Sequence, residues 1–281
     1  HDRRGRRFIK VSDSRWGELI LPSAEEAALC SDNGLRIVAV TSFYFGLEVL
    51  NALVQFERDH PGLVTTVAVA TDDAINAEAK ISLKKRIWKY YSQEERIDAE
   101  IATVEAALRA GVPVYTGEMK IDWFHRQLAD WQPDAIIVCG CGQIFDLEII
   151  EQPRFGIYNF HPSDLAHGHG AGAQPYEDSI ARNDPLTRWT IHEMVQEIDA
   201  GPIVGSSPPI RIADPHGVIT PDAKRYYEKM AEAVGPLVPR LLEQLVQLHA
   251  SGSPPGHRVD SIDFPSLLPE HLKVRLNTPL A

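Results

Sequence analysis

Cysteine is scarce in this chain, which holds only Cys30, Cys139 and Cys141 in 281 residues. Three thiols build no disulfide framework, and Cys139 and Cys141 close an apolar run. Reduced thiols in a cytoplasmic protein are therefore expected. No apolar stretch reaches the roughly 20 residues that a membrane-spanning helix needs, so no membrane partner is expected. The basic start HDRRGRRFIK is followed by no long apolar signal core. Positive charge is short as well: 28 basic against 39 acidic side chains leave a net charge of −11. That balance weighs against nucleic acid, because polyanion binding draws on an excess of cations. No internal repeat is visible.

Two phosphate-binding signatures are incomplete. Gly140-Cys141-Gly142 follows an apolar run, but Phe145 stands where a dinucleotide fingerprint requires Gly or Ala. These glycines are expected instead to let a planar ligand approach the backbone. The loop HGHGAGAQP (167–175) has no Lys followed by Ser or Thr, so it is not a phosphate cradle. His167 and His169, with His161 and Asp164 nearby, are competent zinc ligands by type. They lack the fixed spacing of a helix or of paired strands, and the expectation is a lid or acceptor-contacting loop with no metal.

What is present reads as alternation. LRIVAVTS (35–42), LVTTVAVATDD (63–73), VPVYTG (112–117) and PDAIIVCGCG (133–142) are short apolar runs. Between them lie helical periodicities at 45–59, 99–111 and 122–131. Apolar strands alternating with amphipathic helices imply βαβ units and an α/β fold. Its mostly parallel sheet has helices on both faces, and ligands sit beyond the carboxyl ends of its strands. Residues 1–34 form an extension of unclear structure and 35–205 a catalytic domain. Residues 206–281 form a helical extension, with a helix around 222–248 broken at Gly235-Pro236, and a tail. Segment 74–98 is longer than a crossover needs. Its Lys84, Lys85, Arg86 and Lys89 with Trp88, Tyr90 and Tyr91 fit either a grip on an anion or a solvated helix with one aromatic face. The sequence leaves a homodimer open.

Three polar residues stand in apolar surroundings. Asn159 closes the strand-like RFGIYN, and His161 follows at the same-face spacing of two. An amide and an imidazole pointing one way can donate to a single oxygen, which an oxyanion needs. Asp199 follows TRWTIHEMVQEI at a turn before Gly201-Pro202, where a carboxylate can orient an imidazole or relay a proton. Each residue alone also has a structural explanation, as a strand-end pair or a turn cap.

The stretch IVCGCGQIFDLEIIEQPRFGIYNFHPSDL followed by TRWTIHEMVQEIDAGPIV resembles the formyltransferases that use N10-formyltetrahydrofolate. That family includes glycinamide ribonucleotide, methionyl-tRNA and sugar N-formyltransferases, and formyltetrahydrofolate hydrolase. LRIVAVTSFYFGLEVLNAL is similar to the family's first strand and helix. The resemblance implies a Rossmann-like formyltransferase fold, with Asn159, His161 and Asp199 catalytic. It implies a folate pocket at Cys139, Gly140, Cys141, Gly142, Gln143, Ile144 and Phe145, together with Ile198 and Gly201. The activity implied is formyl transfer from N10-formyltetrahydrofolate to a small-molecule primary amine, an amino sugar nucleotide or an amino acid derivative. Protonated His161, held cationic by Asp199, would share the oxyanion with Asn159. Formyltetrahydrofolate hydrolysis and a non-catalytic folate-binding regulator are the alternatives. The loop LAHGHGAGAQPYE is longer than the family's and lacks its arginine, so the acceptor is not set by the resemblance. No strand-rich barrel of the kind carried by methionyl-tRNA enzymes is visible after 205.

Overall fold

A computed structural model describes residues 9–14, 16–27, 33–72, 86–172, 174–214, 216–219 and 222–264. Cys30, Lys84, Lys85, the Arg86 side chain, the basic head before Ile9 and the tail 265–281 lie outside what is described. In chain order the elements begin with β1 (Ile9–Ser14), β2 (Gly17–Leu21), α1 (Ala24–Ala27), β3 (Leu35–Thr41), α2 (Phe43–Asp59) and β4 (Val64–Thr71). After a 3₁₀ turn at Arg86–Tyr90 come α3 (Gln93–Arg109), β5 (Val114–Gly117), α4 (Asp122–Trp131), β6 (Ala135–Cys139), α5 (Leu147–Ile150) and β7 (Ile157–His161). The remainder is α6 (Pro175–Arg182), β8 (Leu186–Thr187), β9 (Thr190–Glu193), β10 (Ile203–Ser206), β11 (Ile210–Arg211), α7 (Ala223–Val234) and α8 (Val238–Ala250).

Nine strands form one sheet in the order β1-β2-β5-β4-β3-β6-β7-β9-β10. The centre is parallel: β3 pairs with β4 and β6, β4 with β5, and β6 with β7. Both rims are antiparallel. Strand order reverses at β3, which places the switch point, and the usual ligand crevice, beyond the ends of β3 and β6. The central strands are mostly apolar because both faces are covered, one by α2 and the C-terminal helices, the other by α4 and its neighbours.

Residues 9–14 and 17–21, which carried no expectation, continue this sheet as an antiparallel pair. Gly17 lies opposite Gly117, and Ile20 is fully buried. The core likewise runs on past residue 205. Met230, Val234, Leu237, Leu241 and Leu245 are fully buried in one cluster with Leu50 and Leu53 of α2. The helix break at Gly235-Pro236 stands where expected. Helix α3 starts earlier than expected, because Ser92 and Glu95 close a capping box that fixes its first turn. Helix α2 has no side-chain cap. Its N-cap residue Ser42 instead gives its hydroxyl to Asp72, 2.5 Å away, beside Thr71.

Candidate active site

Strand β7 alternates faces. Tyr158 and Phe160 enter the core on the side of α2, while Ile157 packs into the opposite one. Asn159 and His161 share the parity of Ile157, so they lie on the opposite face from Tyr158 and Phe160. Strand β9 runs antiparallel beside them, and its register sets His192 opposite Asn159 and Thr190 opposite His161. Asp199 arrives from the turn after β9, with left-handed backbone (φ +52°) that Asp tolerates better than most residues. Gly201 anchors that turn: a Cβ there would lie 1.8 Å from the Glu193 carbonyl oxygen, so only glycine lets the chain pass.

The three expected residues are brought together around a fourth, His192. His161 Nδ1 lies 3.7 Å, and His192 Nε2 3.5 Å, from the same Asp199 Oδ1. Asn159 Nδ2 is 3.1 Å from His192 Nε2. The second Asp199 oxygen accepts the Gly172 N–H at 2.7 Å. His161 Nε2 meets the Gly170 carbonyl at 2.7 Å, and His192 Nδ1 meets the Glu193 carbonyl at 3.0 Å. A carbonyl only accepts, so the first ring carries its proton on Nε2 and the second on Nδ1. The other ring nitrogens, His161 Nδ1 and His192 Nε2, face one carboxylate oxygen of Asp199, with the Asn159 amide beside His192.

Burial governs the charges. It pushes the His161 imidazole below its ordinary value, outweighing the upward pull of Asp199 and of the Gly170 carbonyl, and the nearby His192 lowers it further. Burial alone would raise the Asp199 carboxyl. The His192 contact, the His161 ring and the Gly172 N–H outweigh it and hold Asp199 at about 2. The two tendencies compete, since a cationic His161 would favour Asp199 while burial keeps His161 neutral. With His161 only 7% exposed, burial prevails over the pull of Asp199 and of the Gly170 carbonyl and favours the neutral ring, against the expected imidazolium.

A glycine strap covers these groups. The Gly170 carbonyl also accepts from Ser163 Oγ at 3.0 Å, and the Gly170 N–H donates to Asp178 at 2.9 Å. Gly168, Gly170 and Gly172 all have positive φ. The strap histidines stand apart from the catalytic group: His167 pairs with Asp164 at 2.9 Å and His169 with Asp184 at 3.2 Å.

The residues expected to hold a flat heterocycle divide into two kinds. Gly140 is needed by the fold itself. Its φ is +74°, and a Cβ would lie 2.2 Å from the Ser42 carbonyl oxygen, so chain packing by itself requires glycine there. The Gly142 N–H is bound by Asp72 at 2.6 Å. Gln143 is a buried brace, donating to the Gly117 carbonyl at 2.7 Å and accepting the Met119 N–H at 2.9 Å. Cys139 and Phe145 are buried, and Cys141 Sγ accepts the Gln143 N–H at 3.5 Å. Ile144 and Ile198, 41% and 62% exposed, are the apolar side chains free for a ligand. In segment 74–98, Trp88 packs on Phe43 and Tyr91, while Lys89 pairs with Glu177 at 2.8 Å, so the described part follows the aromatic-face reading.

His192 and the strap contacts were not found from the sequence. A histidine two after Thr190 in TIHEM was visible, but only the β7–β9 register shows that it faces Asn159.

Comparison with known proteins bears on this group. The family described as formyl transferase matches residues 37–220. The methionyl-tRNA formyltransferase of Marinobacter nauticus is 29% identical over 150 residues, 53% of this chain and 45% of that one. The chain spans 22 to 45% of the length of the first curated relatives it matches. Among solved structures, glycinamide ribonucleotide transformylase 1 from Symbiobacterium toebii superposes with a TM-score of 0.57 at 18% identity, covering 83% of this chain and 96% of that one. A sugar N-formyltransferase from Shewanella sp. FDAARGOS_354 gives a TM-score of 0.51 at 19% identity, covering 83% and 74%. At these identities the two structures show the shared fold.

Proposed function

The chain belongs to the formyl transferase family, and from that premise we propose that it moves a formyl group from N10-formyltetrahydrofolate to the primary amine of a small molecule. The observation that carries this reading is the convergence of Asn159, His161 and His192 on or beside one half-buried carboxylate, Asp199. The exposed Ile144 and Ile198 suit the flat face of a folate, with the backbone of 140–142 at its edge. The folate supplies the formyl group.

The side chains do the rest. Asn159 Nδ2 and His161 Nε2 are N–H donors available to one developing oxyanion once the strap withdraws the Gly170 carbonyl. The proton lost by the attacking amine finds a lone pair on His161 Nδ1 or His192 Nε2, directly or through water. Either imidazolium then forms against the charge of Asp199. His161 thereby gains its charge as the oxyanion gains its own, so stabilisation grows toward the transition state. The net charge of −11 favours a small acceptor over a polyanion.

The test is incubation with N10-formyltetrahydrofolate and a panel of amines, following tetrahydrofolate release. Amine-dependent release is expected, reduced about 10²–10³-fold in Asn159→Ala, the usual loss for one oxyanion donor. Release at the same rate without any amine would assign hydrolysis instead. No turnover and no folate binding would remove the reading altogether.

A further inference from the structure

Asp72 is a buried acidic side chain that the catalytic cluster does not use. It follows the last residue of β4 and is 2% exposed. Both of its oxygens accept: Oδ1 takes the Ser42 hydroxyl at 2.5 Å, and Oδ2 the Gly142 N–H at 2.6 Å. Burying a carboxylate is costly, and these charge-assisted bonds offset that cost. Ser42 follows β3, and Gly142 lies in the turn after β6. One side chain thus ties together the carboxyl ends of three neighbouring parallel strands, on the crevice side of the switch point.

The Ser42 end of this tie is fixed from several sides. The Ser42 N–H donates to the Cys139 carbonyl at 3.0 Å, and Ser42 Oγ receives the Asp72 N–H at 3.3 Å. Because the Ser42 hydroxyl proton goes to Asp72, Thr71 Oγ1, 3.0 Å away, is the donor in its pair with Ser42. Phe43, next in the chain, has φ +64°, strained for a bulky residue. Such strain persists only where the surroundings fix the backbone. The turn 140–142 has no comparable stiffness of its own. Gly140 and Gly142 flank Cys141, and no helix or strand includes them. The Asp72 bond orients the peptide between Cys141 and Gly142. With its N–H directed at Asp72, the carbonyl of that planar trans unit faces the opposite way.

Resting on the reading of 140–142 as the folate edge, we propose that Asp72 is a positioning residue of the folate site, holding the Cys141–Gly142 peptide in its binding orientation before the ligand arrives. Asp72 is too deeply buried to meet the folate itself and acts through the turn. A glycine turn that had to be ordered by the ligand would lower its affinity, and the tie to Asp72 removes that cost.

The experiment is calorimetric titration of the intact chain with tetrahydrofolate, without amine, on wild type, Asp72→Ala, Asp72→Asn and Ser42→Ala, with Tm measured on each. Asp72→Ala releases the Gly142 N–H, and affinity should fall about tenfold or more. Asp72→Asn keeps an oxygen for Gly142 and points its amide N–H at Ser42 Oγ, whose hydroxyl then turns to Thr71. Its affinity should return to within about threefold of wild type. Ser42→Ala cuts the other half of the network, so Tm should fall while tetrahydrofolate affinity stays in that same range. Affinity that follows Tm through all the variants would make Asp72 a structural brace and overturn the proposal. Equal affinity in wild type and Asp72→Ala would overturn it too. A second measurement uses wild type alone and stands even where Asp72→Ala does not fold: amide exchange at Gly142. Equal protection with and without tetrahydrofolate is expected, and protection that arises only with the ligand would overturn the pre-set turn. Wild type that binds no tetrahydrofolate would overturn the folate reading and the proposal with it, whereas wild-type binding unchanged in Asp72→Ala would overturn the proposal alone.

Discussion

Asp199 sits at φ +52° and at the same time receives the Gly172 N–H and faces two imidazoles, so turn and charge are separable by one substitution. Asp199→Asn keeps the shape, and Asn adopts the left-handed region readily. The expected result is a fall in kcat of about 10²-fold, the general acid–base range, with folate affinity little changed and Tm lowered by no more than protonation of Asp199 would lower it. Near-wild-type turnover across pH would assign the carboxylate to the turn alone. The charges also fix a pH dependence. His161 is depressed by burial, so its contribution to stability is full above its unfolded value of about 6.5 and declines as pH falls. Asp199 is depressed from 3.8 to about 2, so its contribution, at most on the order of 2 kcal/mol, is lost as pH falls from about 4 toward 2. Wild-type Tm should therefore drop in two windows on acidification. His161→Gln should abolish the upper one and narrow the lower, because the ring helps hold Asp199 low, and a wild-type Tm unchanged between pH 7 and pH 4 would contradict the neutral resting ring.

Among elements, the strap from Gly168 to Gly172 has the clearest consequence for turnover. Gly170 places its carbonyl on the His161 N–H that an oxyanion would need, and Ser163 Oγ holds it there. Ser163→Ala removes one of two donors to that carbonyl while His161 keeps its own contact. A net hydrogen bond is worth about 0.5–1.5 kcal/mol, so strap opening should become about 2–10-fold more frequent. Amide exchange across 168–172 should accelerate by that factor, with protection of β7 unchanged. Exchange equal to wild type would mean that the hydroxyl does not hold the strap. In the same stretch of chain His167 and His169 pair with separate aspartates, Asp164 and Asp184.

At the scale of the molecule, one core spans the β1–β2 pair, the parallel centre and the C-terminal helices, so the site is braced from both ends of the described chain. No helix among the described residues is long and apolar enough to cross a membrane. The proposed chemistry assigns nothing to a cation, and among the described residues no three His, Cys, Asp or Glu side chains form a group fit to hold one. Exhaustive treatment with EDTA should leave kcat within about twofold of the untreated value. Loss of activity restored by zinc would reassign the strap histidines as ligands.

Alternating apolar runs and helical periodicities by themselves determined the parallel α/β centre, because each strand buried on both faces must be apolar along its length. They also determined Asn159 and His161 as a same-face pair, since side-chain parity is a local property of extended chain. Local pattern said nothing about which strand lies beside which. The tertiary structure decided that His192 faces Asn159, that Gly201 passes against Glu193, and that residues 9–14 and 17–21 extend the sheet through β5. It decided as well that Gln143 braces the Gly117 carbonyl, that Gly140 passes against Ser42, and that Ile144 and Ile198 stay exposed. The protonation of His161 was decided there too. A carboxylate in sequence suggests an imidazolium, but desolvation depends on everything packed around the ring, and that burial outweighs the single charge.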